Sequence, residues 1–378
     1  MSVPEQERLA RVALNRLGEP GETRMTGLVA ELGPVRLHEL LLAETDLDGL
    51  GTDVAARLAA VDPARDLERA ERIGLRFVVP GDDEWPTQLD DLAAAGSLHE
   101  RGGVPVGLWV KGPFHLGGLA ASVAVVGSRA ATAYGDDVAG EIAATVATAG
   151  HTVVSGGAFG IDRAAHRGAV STGAPTVAVV ACGADRVYPA AHEAMFDHIA
   201  RTGAVVSEAA PGCAPHRIRF LARNRLIAAL SLGTVVVEAA VRSGALNTAN
   251  WATRLNRTLM GVPGPVTSGS SAGVNEHLRS GTMSLVTRGA DVLELVSPAG
   301  THLVEPARAE ETARDRLTPR QRQVLDAVPA ASGAGSDSIA RAAGLGLREV
   351  RGALGALEES GFVEGALDGW RLTELARP

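Results

Sequence analysis

Uninterrupted apolar runs recur along the middle of the chain, at Ser122–Val126, Thr152–Ser155, Thr176–Ala181, Ala204–Ser207, Thr234–Glu238 and Thr258–Val262. Longer amphipathic stretches such as Asp136–Ala149 and Arg223–Leu230 lie between them. A strand covered on both faces carries continuous apolar residues rather than strict alternation. Such strands alternating with helices predict an α/β fold with a doubly wound, mainly parallel, Rossmann-like sheet. Ahead of it, short helical patterns over Leu9–Leu17 and Met25–Leu32 are broken at Gly18-Glu19-Pro20-Gly21, which predicts a small helical domain over 1–75. Glu68–Gly74 reads as a helix and Arg76–Val79 as a strand, and an extended stretch through Trp85-Pro86 and Gly102–Gly112 leads into the sheet domain, 76–298. A polar linker is expected over 299–315. Beyond it, Thr318–Ala327, Ser336–Ala343 and Leu347–Ser360 predict three helices and Phe362–Leu372 a hairpin, the element order of a winged-helix domain over 316–378.

With 378 residues, 46% hydrophobic and 21% charged, the chain can bury a sizeable core, which at 3% aromatics must be packed mainly with Ala, Val, Leu and Ile. No stretch approaches the roughly 18 uncharged apolar residues of a membrane span, and the acidic N-terminus does not resemble a signal peptide. Cys182 and Cys213 are far apart in sequence and in no metal-ligand spacing, so no metal and a reduced, cytoplasmic setting are expected. No cofactor is expected either, since neither GxGxxG nor GxxxxGK[ST] occurs in a phosphate-binding context.

The net charge of −8 argues against a polyanion partner until it is mapped. Residues 1–110 carry −9, whereas 209–275 carry seven Arg (217, 219, 223, 225, 242, 254 and 257) against Glu238 alone, a net of +6. A basic cluster within an acidic chain is a local footprint for phosphates. The alternative is that these arginines pair with acids elsewhere in the fold, and charge counting leaves both open.

The candidate chemistry sits in loops that follow strands. Val126-Gly127-Ser128-Arg129 turns into a helix, exposing backbone N–H groups and one forked donor to an anion. Ser155-Gly156-Gly157-Ala158-Phe159-Gly160-Ile161-Asp162 offers close backbone approach to a phosphate and a hydroxyl from Ser155. Asp162 reads as a helix-start residue, in structural contact with His166 rather than in a catalytic pair. His216-Arg217-Ile218-Arg219-Phe220-Leu221-Ala222-Arg223-Asn224-Arg225 surrounds one aromatic with four Arg. Cations that track a backbone, with a ring on which a base stacks, are the elements of sequence-tolerant single-strand binding. The competing reading makes Phe220 a core residue and the arginines a solvated face. Arg242-Ser243-Gly244-Ala245-Leu246-Asn247-Thr248 is a fourth Gly-containing helix entry.

Taken in order, Gly127-Ser128-Arg129, Ser155-Gly156-x-Ala158-x-Gly160-Ile161-Asp162, Ala165-His166, Tyr188-Pro189 and Ser207-Glu208 resemble the DNA-processing protein A (DprA, Smf) family. So do Phe220-x-x-Arg223-Asn224-Arg225-x-Ile227-Ala228, Ser243-Gly244-x-Leu246-x-Thr248-Ala249 and Val262-Pro263-Gly264. The resemblance runs from about Trp85 to Val296. It implies an extended Rossmann fold with a helical N-terminal domain of SAM or helix-hairpin-helix type. It also implies single-stranded DNA bound in a pocket, a homodimer, and delivery of a RecA-type recombinase in natural transformation or recombination, with no catalysis. By motif, the implied pocket residues are Arg129, Ser155 to Gly160, Arg217 and Phe220. Adding the residues read directly, the DNA-contact candidates are Gly127, Ser128, Arg129, Ser155, Gly156, Gly157, Gly160, Arg217, Arg219, Phe220, Arg223, Asn224, Arg225, Ser243 and Thr248. Gly157, His192, Asn256 and Thr282 depart from the family's usual residues, and none of these changes removes a phosphate donor.

Two other classes stand beside this one. A nucleoside-monophosphate phosphoribohydrolase of related fold would use Glu238 as its acid, although no Gly-Gly-x-Gly-Thr loop precedes it. A duplex-binding regulator would use Leu347–Ser360 in a groove, against the charge balance of Arg348 and Arg351 with Glu349, Glu358 and Glu359.

Overall fold

The computed structural model describes residues 3–43, 53–304 and 312–376. The six apolar runs form parallel strands of one nine-stranded sheet, β3 (Ser122–Val126), β4 (Thr152–Ser155), β5 (Thr176–Val179), β6 (Ala204–Ser207), β7 (Gly233–Val236) and β8 (Thr258–Gly261), and a short strand that the pattern did not mark, β9 (Ser284–Leu285), adds a seventh parallel neighbour. Two earlier strands, β1 (Leu75–Val78) and β2 (Leu108–Lys111), complete it, in the order β1-β2-β6-β5-β4-β3-β7-β8-β9. β2 runs antiparallel to both of its neighbours. Strand order across the sheet reverses between β3 and β7, which defines a topological switch point there.

Helices α1 (Glu5–Leu17), α2 (Thr23–Leu32), α3 (Pro34–Leu42), α4 (Asp53–Ala59) and α5 (Pro63–Arg72) share one compact unit with this sheet, Met1–Val304. Val12 of α1 packs with Phe77 and Trp109 of β1 and β2. Asn15 ties the same helix to the sheet, accepting from Trp109 Nε1 at 2.8 Å and donating to the Glu208 carbonyl at 2.7 Å. The α5 helix starts well before the expected Glu68, because Asp62 caps it, accepting from Arg65 N at 3.0 Å, and Pro63 fits its first turn.

Because side chains alternate along a strand, the continuous apolar runs bury both faces of the sheet, and Ala178, Val180 and Val205 join Val12, Phe77 and Trp109. Val123, Val125, Val153 and Val235 face α6 (Ala133–Thr148) and α7 (Ile161–Ser171), through Ile142, Val146, Ile161 and Ala165. Ala124, Val126, Val154, Val177, Val179 and Val236 face the opposite way, as do Leu226, Ile227, Ala249 and Trp251 of the helices that cover them. Between α7 and those helices comes α8 (Glu193–Thr202), and the covering pair is α9 (Arg217–Ala229) and α10 (Ala245–Arg254). Two short helices, α11 (Ala272–Arg279) and α12 (Gly289–Val296), close the sheet unit, Val274 packing on one face and Val292 on the other.

The second compact unit, Glu305–Pro378, holds α13 (Pro319–Asp326), α14 (Ser336–Ala343), α15 (Leu347–Glu359) and a hairpin of β10 (Val363–Ala366) and β11 (Gly369–Leu372). It packs on Val324, Leu325, Ile339, Val350, Leu354, Leu357 and Phe362. Residues 305–311 of the expected linker lie outside the described residues. Among the described residues no helix is long and apolar enough to cross a membrane.

Candidate nucleic-acid interface

Parallel strands put the ends of β3, β4, β5 and β7 on one edge of the sheet, so their loops meet there. The loop after β4 locks beneath the loop after β3, with Ile161 N donating to Ser128 O at 3.2 Å. Gly160 has φ 71°, and a Cβ on it would stand 2.3 Å from Ser128 O. At Gly156 a Cβ would stand 1.7 Å from Arg223 Nη1, so only glycine admits that guanidinium under the loop. Arg223 Nη1 is thereby held on the Val179 carbonyl at 2.8 Å.

Above this floor sits Phe220, half-buried and outside the apolar clusters of the core. The Arg129 guanidinium lies 4.8 Å from its ring centroid, Arg223 lies 5.8 Å away, and the Tyr188 ring lies 5.9 Å away at 59°. Two cations at a ring face are a cation–π arrangement, which holds the ring in place and concentrates positive charge beside it. Arg129 is exposed. Arg217, three residues before Phe220 and on the same side of α9, is also exposed, and among the described residues its guanidinium makes no hydrogen bond or ion pair. The structure therefore brings Arg129, Arg217 and Phe220 to one surface, flanked by Gly127, Ser128 and the glycine loop.

Other members of the predicted set point elsewhere, and the basic cluster of 209–275 is divided: Arg223 and Arg225 are buried, Arg219, Arg254 and Arg257 bond other segments of the fold, and Arg217 and Arg242 face solvent. Arg225 is fully buried in a bidentate pair with Glu208, at 2.6 Å for each nitrogen, and donates to the Gly103 and Ala222 carbonyls as well. Arg219 holds Glu19 at 2.7 Å and 2.8 Å, and that hydrogen bond draws the Glu19 carboxyl below its ordinary range. Arg254 donates to Ala95 O and Arg257 pairs with Asp91. Buried Asn224 donates to Asn247 Oδ1 at 3.2 Å, joining α9 to α10. The Ser155 hydroxyl, predicted as a phosphate donor, is buried and donates to Val125 O at 2.7 Å. Ser243 Oγ accepts from Ala245 N at the start of α10, and Thr248 is buried. Arg223, Asn224 and Arg225 are taken up by the fold because α9 enters the core after its first turn, every residue from Ala222 to Leu230 being buried.

The expected Asp162–His166 contact is replaced by separate ones. Asp162 accepts from Ala158 N at 3.3 Å, and burial pushes its carboxyl up. His166 Nδ1 meets Thr176 Oγ1 at 2.9 Å, and burial pushes the imidazole down to about 3. Thr176 donates its own hydrogen to Val153 O, so His166 carries its proton on Nδ1. Burial likewise lowers Arg223.

At the switch point a carboxylate is already held at the loop that enters α6, by one amide and two hydroxyls. The Glu238 carboxylate, 1% exposed, accepts from Thr132 N at 2.9 Å, Thr132 Oγ1 at 2.8 Å and Ser270 Oγ at 3.2 Å. It thus occupies the place at the start of α6 where a nucleotide phosphate sits in dinucleotide-binding folds.

The sequence places Tyr188 and Phe159 only within motifs, as Tyr188-Pro189 and inside Ser155 to Gly160, and assigns neither ring a role of its own; the structure leaves them 47% and 45% exposed at this edge. With so few aromatics in the chain, their position in loops that follow strands was the available signal.

A family model described as DNA recombination-mediator protein A matches residues 76–297. A Mycobacterium tuberculosis (strain H37Rv) protein named as a putative DNA processing protein DprA is 42% identical over 362 residues, 95% of this chain and 92% of that one. The DNA processing protein DprA of Streptococcus pneumoniae (strain R6) is 38% identical over 212 residues, 56% of this chain and 71% of the relative. The X-ray structure of DNA processing protein A from Streptococcus pneumoniae superposes with a TM-score of 0.64 at 29% identity, covering 79% of this chain and all of that one. A structure of DNA processing protein A from Helicobacter pylori, described for its single-stranded DNA binding mode, superposes with a TM-score of 0.50 at 27% identity over 58% of this chain and 94% of that one. On the extent of these matches and the motifs that line the sheet edge, the chain belongs to the DNA recombination-mediator protein A family.

Proposed function

We propose that this chain binds single-stranded DNA along the edge formed by Arg129, Arg217 and Phe220, and delivers the strand to a RecA-type recombinase. The observation that carries the reading is Phe220 itself: a half-buried ring with Arg129 at 4.8 Å, set beside the exposed cation Arg217. Exposed cations neutralise successive phosphates, and a braced ring stacks on any base, so the site suits single strands of any sequence. The single-strand binding described for the Helicobacter pylori relative supports the same use of this chain. The site acts by binding and not by catalysis. Glu238, the acid that a phosphoribohydrolase would need, is enclosed by Thr132 and Ser270. A homodimer and a partner role for the winged-helix-like C-terminal unit belong to the same proposal.

The test is fluorescence anisotropy with single-stranded and duplex oligonucleotides of one length over a salt series. Preference for the single strand with little base specificity is expected. Equal or tighter duplex binding overturns the proposal and favours a groove-reading role for the C-terminal unit.

A further inference from the structure

Phe159 stands at the tip of the glycine loop after β4, beside Gly160, which is pressed against the backbone of Ser128 and Arg129. It is 45% exposed in a chain with six Phe. The ring is nevertheless braced: His192 meets it at 4.6 Å between centroids and 69° between planes. His192 is itself buried, and its Nδ1 is bonded to Gly157 O at 3.0 Å. The turn that carries His192 also carries Tyr188, with His192 N donating to Pro189 O at 3.0 Å, and Tyr188 is the ring against Phe220. One short turn thus supports two aromatics near Arg129: Phe220 through Tyr188, and Phe159 through His192.

An exposed, fixed aromatic next to phosphate donors is the arrangement that holds a base by its face. We propose that Phe159 is a second stacking platform, which takes the nucleotide neighbouring the one on Phe220. The inference rests on the single-strand reading given above. The proposed contact is made by the ring alone, since Phe159 carries no charge to meet a phosphate.

The experiment uses the full chain and homopolymeric DNA oligonucleotides of increasing length, with Phe159→Ala, Phe159→Leu and Phe159→Trp beside Arg129→Ala. Phe159→Ala is expected to weaken binding about five- to a hundredfold at unchanged salt slope, as removal of one stacked base does. Phe159→Leu should be weakened similarly, and Phe159→Trp should bind normally, its added fluorescence quenched by DNA. Normal binding by both Ala and Leu variants, or an unquenched indole signal from the DNA-bound Phe159→Trp protein, overturns the platform. Normal binding by the Leu variant alone also overturns it, since that would mark an apolar contact rather than a stack. If the unmutated protein shows no single-strand binding, the underlying reading fails. If it binds, and Arg129→Ala weakens it while the Phe159 variants do not, the site stands without this platform.

Discussion

A phenylalanine in a core and one used as a platform differ first in what covers them, and Phe220 is covered mainly by charge. Arg129→Ala and Arg217→Ala are expected to weaken binding to every sequence and to lower the salt slope by about 0.7 for each phosphate that is no longer neutralised. Phe220→Ala should weaken binding by about 1–3 kcal/mol with the slope nearly unchanged. A salt titration on each variant checks both, and a large drop in melting temperature with intact affinity would return Phe220 to the core. His166 supplies a separate test of how the glycine loop's interior is built. Its imidazole stays neutral in the fold down to about pH 3, whereas the unfolded chain takes up a proton near the ordinary histidine value of about 6.5. The stability that this linkage carries is therefore full above about pH 6.5 and declines as pH falls towards about 3. Relative to His166→Gln, the unmutated protein should lose more melting temperature between about pH 7 and about pH 4.5. Parallel melting curves for the two proteins would show that the ring is not held neutral. Buried Asp162, shifted upward, titrates with the opposite sign and is common to both proteins.

At the scale of elements, α9 is two helices in one. Its first turn presents Arg217 and Ile218 to solvent, while the remainder lies in the core with Arg223, Asn224 and Arg225. The Arg225–Glu208 pair also receives the Gly21 amide on Glu208 at 3.1 Å, so it fastens the loop between α1 and α2 to the site helix. Removing one partner of a buried pair strands the other charge, and Arg225→Ala should destabilise the protein by about 3–5 kcal/mol. Urea unfolding measures that change, and the salt slope of the folded fraction should match the unmutated protein. The Glu19–Arg219 pair next to it has an exposed acid and is open to competition from phosphate. Glu19→Gln is expected to tighten single-strand binding and to steepen the salt slope by as much as about 0.7. An unchanged slope would mean that the strand does not reach Arg219.

On the scale of the whole molecule, the candidate interface lies entirely within the unit Met1–Val304. A chain ending at Val304 should keep most of its single-strand affinity, provided that it unfolds cooperatively. Failure of such a folded truncation to bind would place the site in the C-terminal unit. The closed switch point is also a property of the whole sheet: Glu238 follows β7 and reaches the helix that follows β3, two elements joined only by strand order.

The order of strands and helices was legible from hydrophobic pattern alone, because strands buried on both faces must be continuously apolar; Ser122–Val126, Thr152–Ser155 and Ala204–Ser207 match to the residue. The three C-terminal helices and their hairpin were legible for a similar reason, their apolar positions keeping the helical and strand periods over short, well-punctuated segments. The loop motifs located the edge where the site lies, since glycines at Gly156 and Gly160 answer a local demand for close approach. What each arginine does was not legible. Arg217 and Arg225 lie on one helix and are alike in sequence context, yet one meets solvent and the other Glu208. That difference depends on how far α9 penetrates between the sheet and α10, and on which carboxylates distant segments bring to it. Charge along a chain counts the arginines, and only the tertiary structure, by pairing some with Glu19, Asp91 and Glu208, decides which remain for a phosphate.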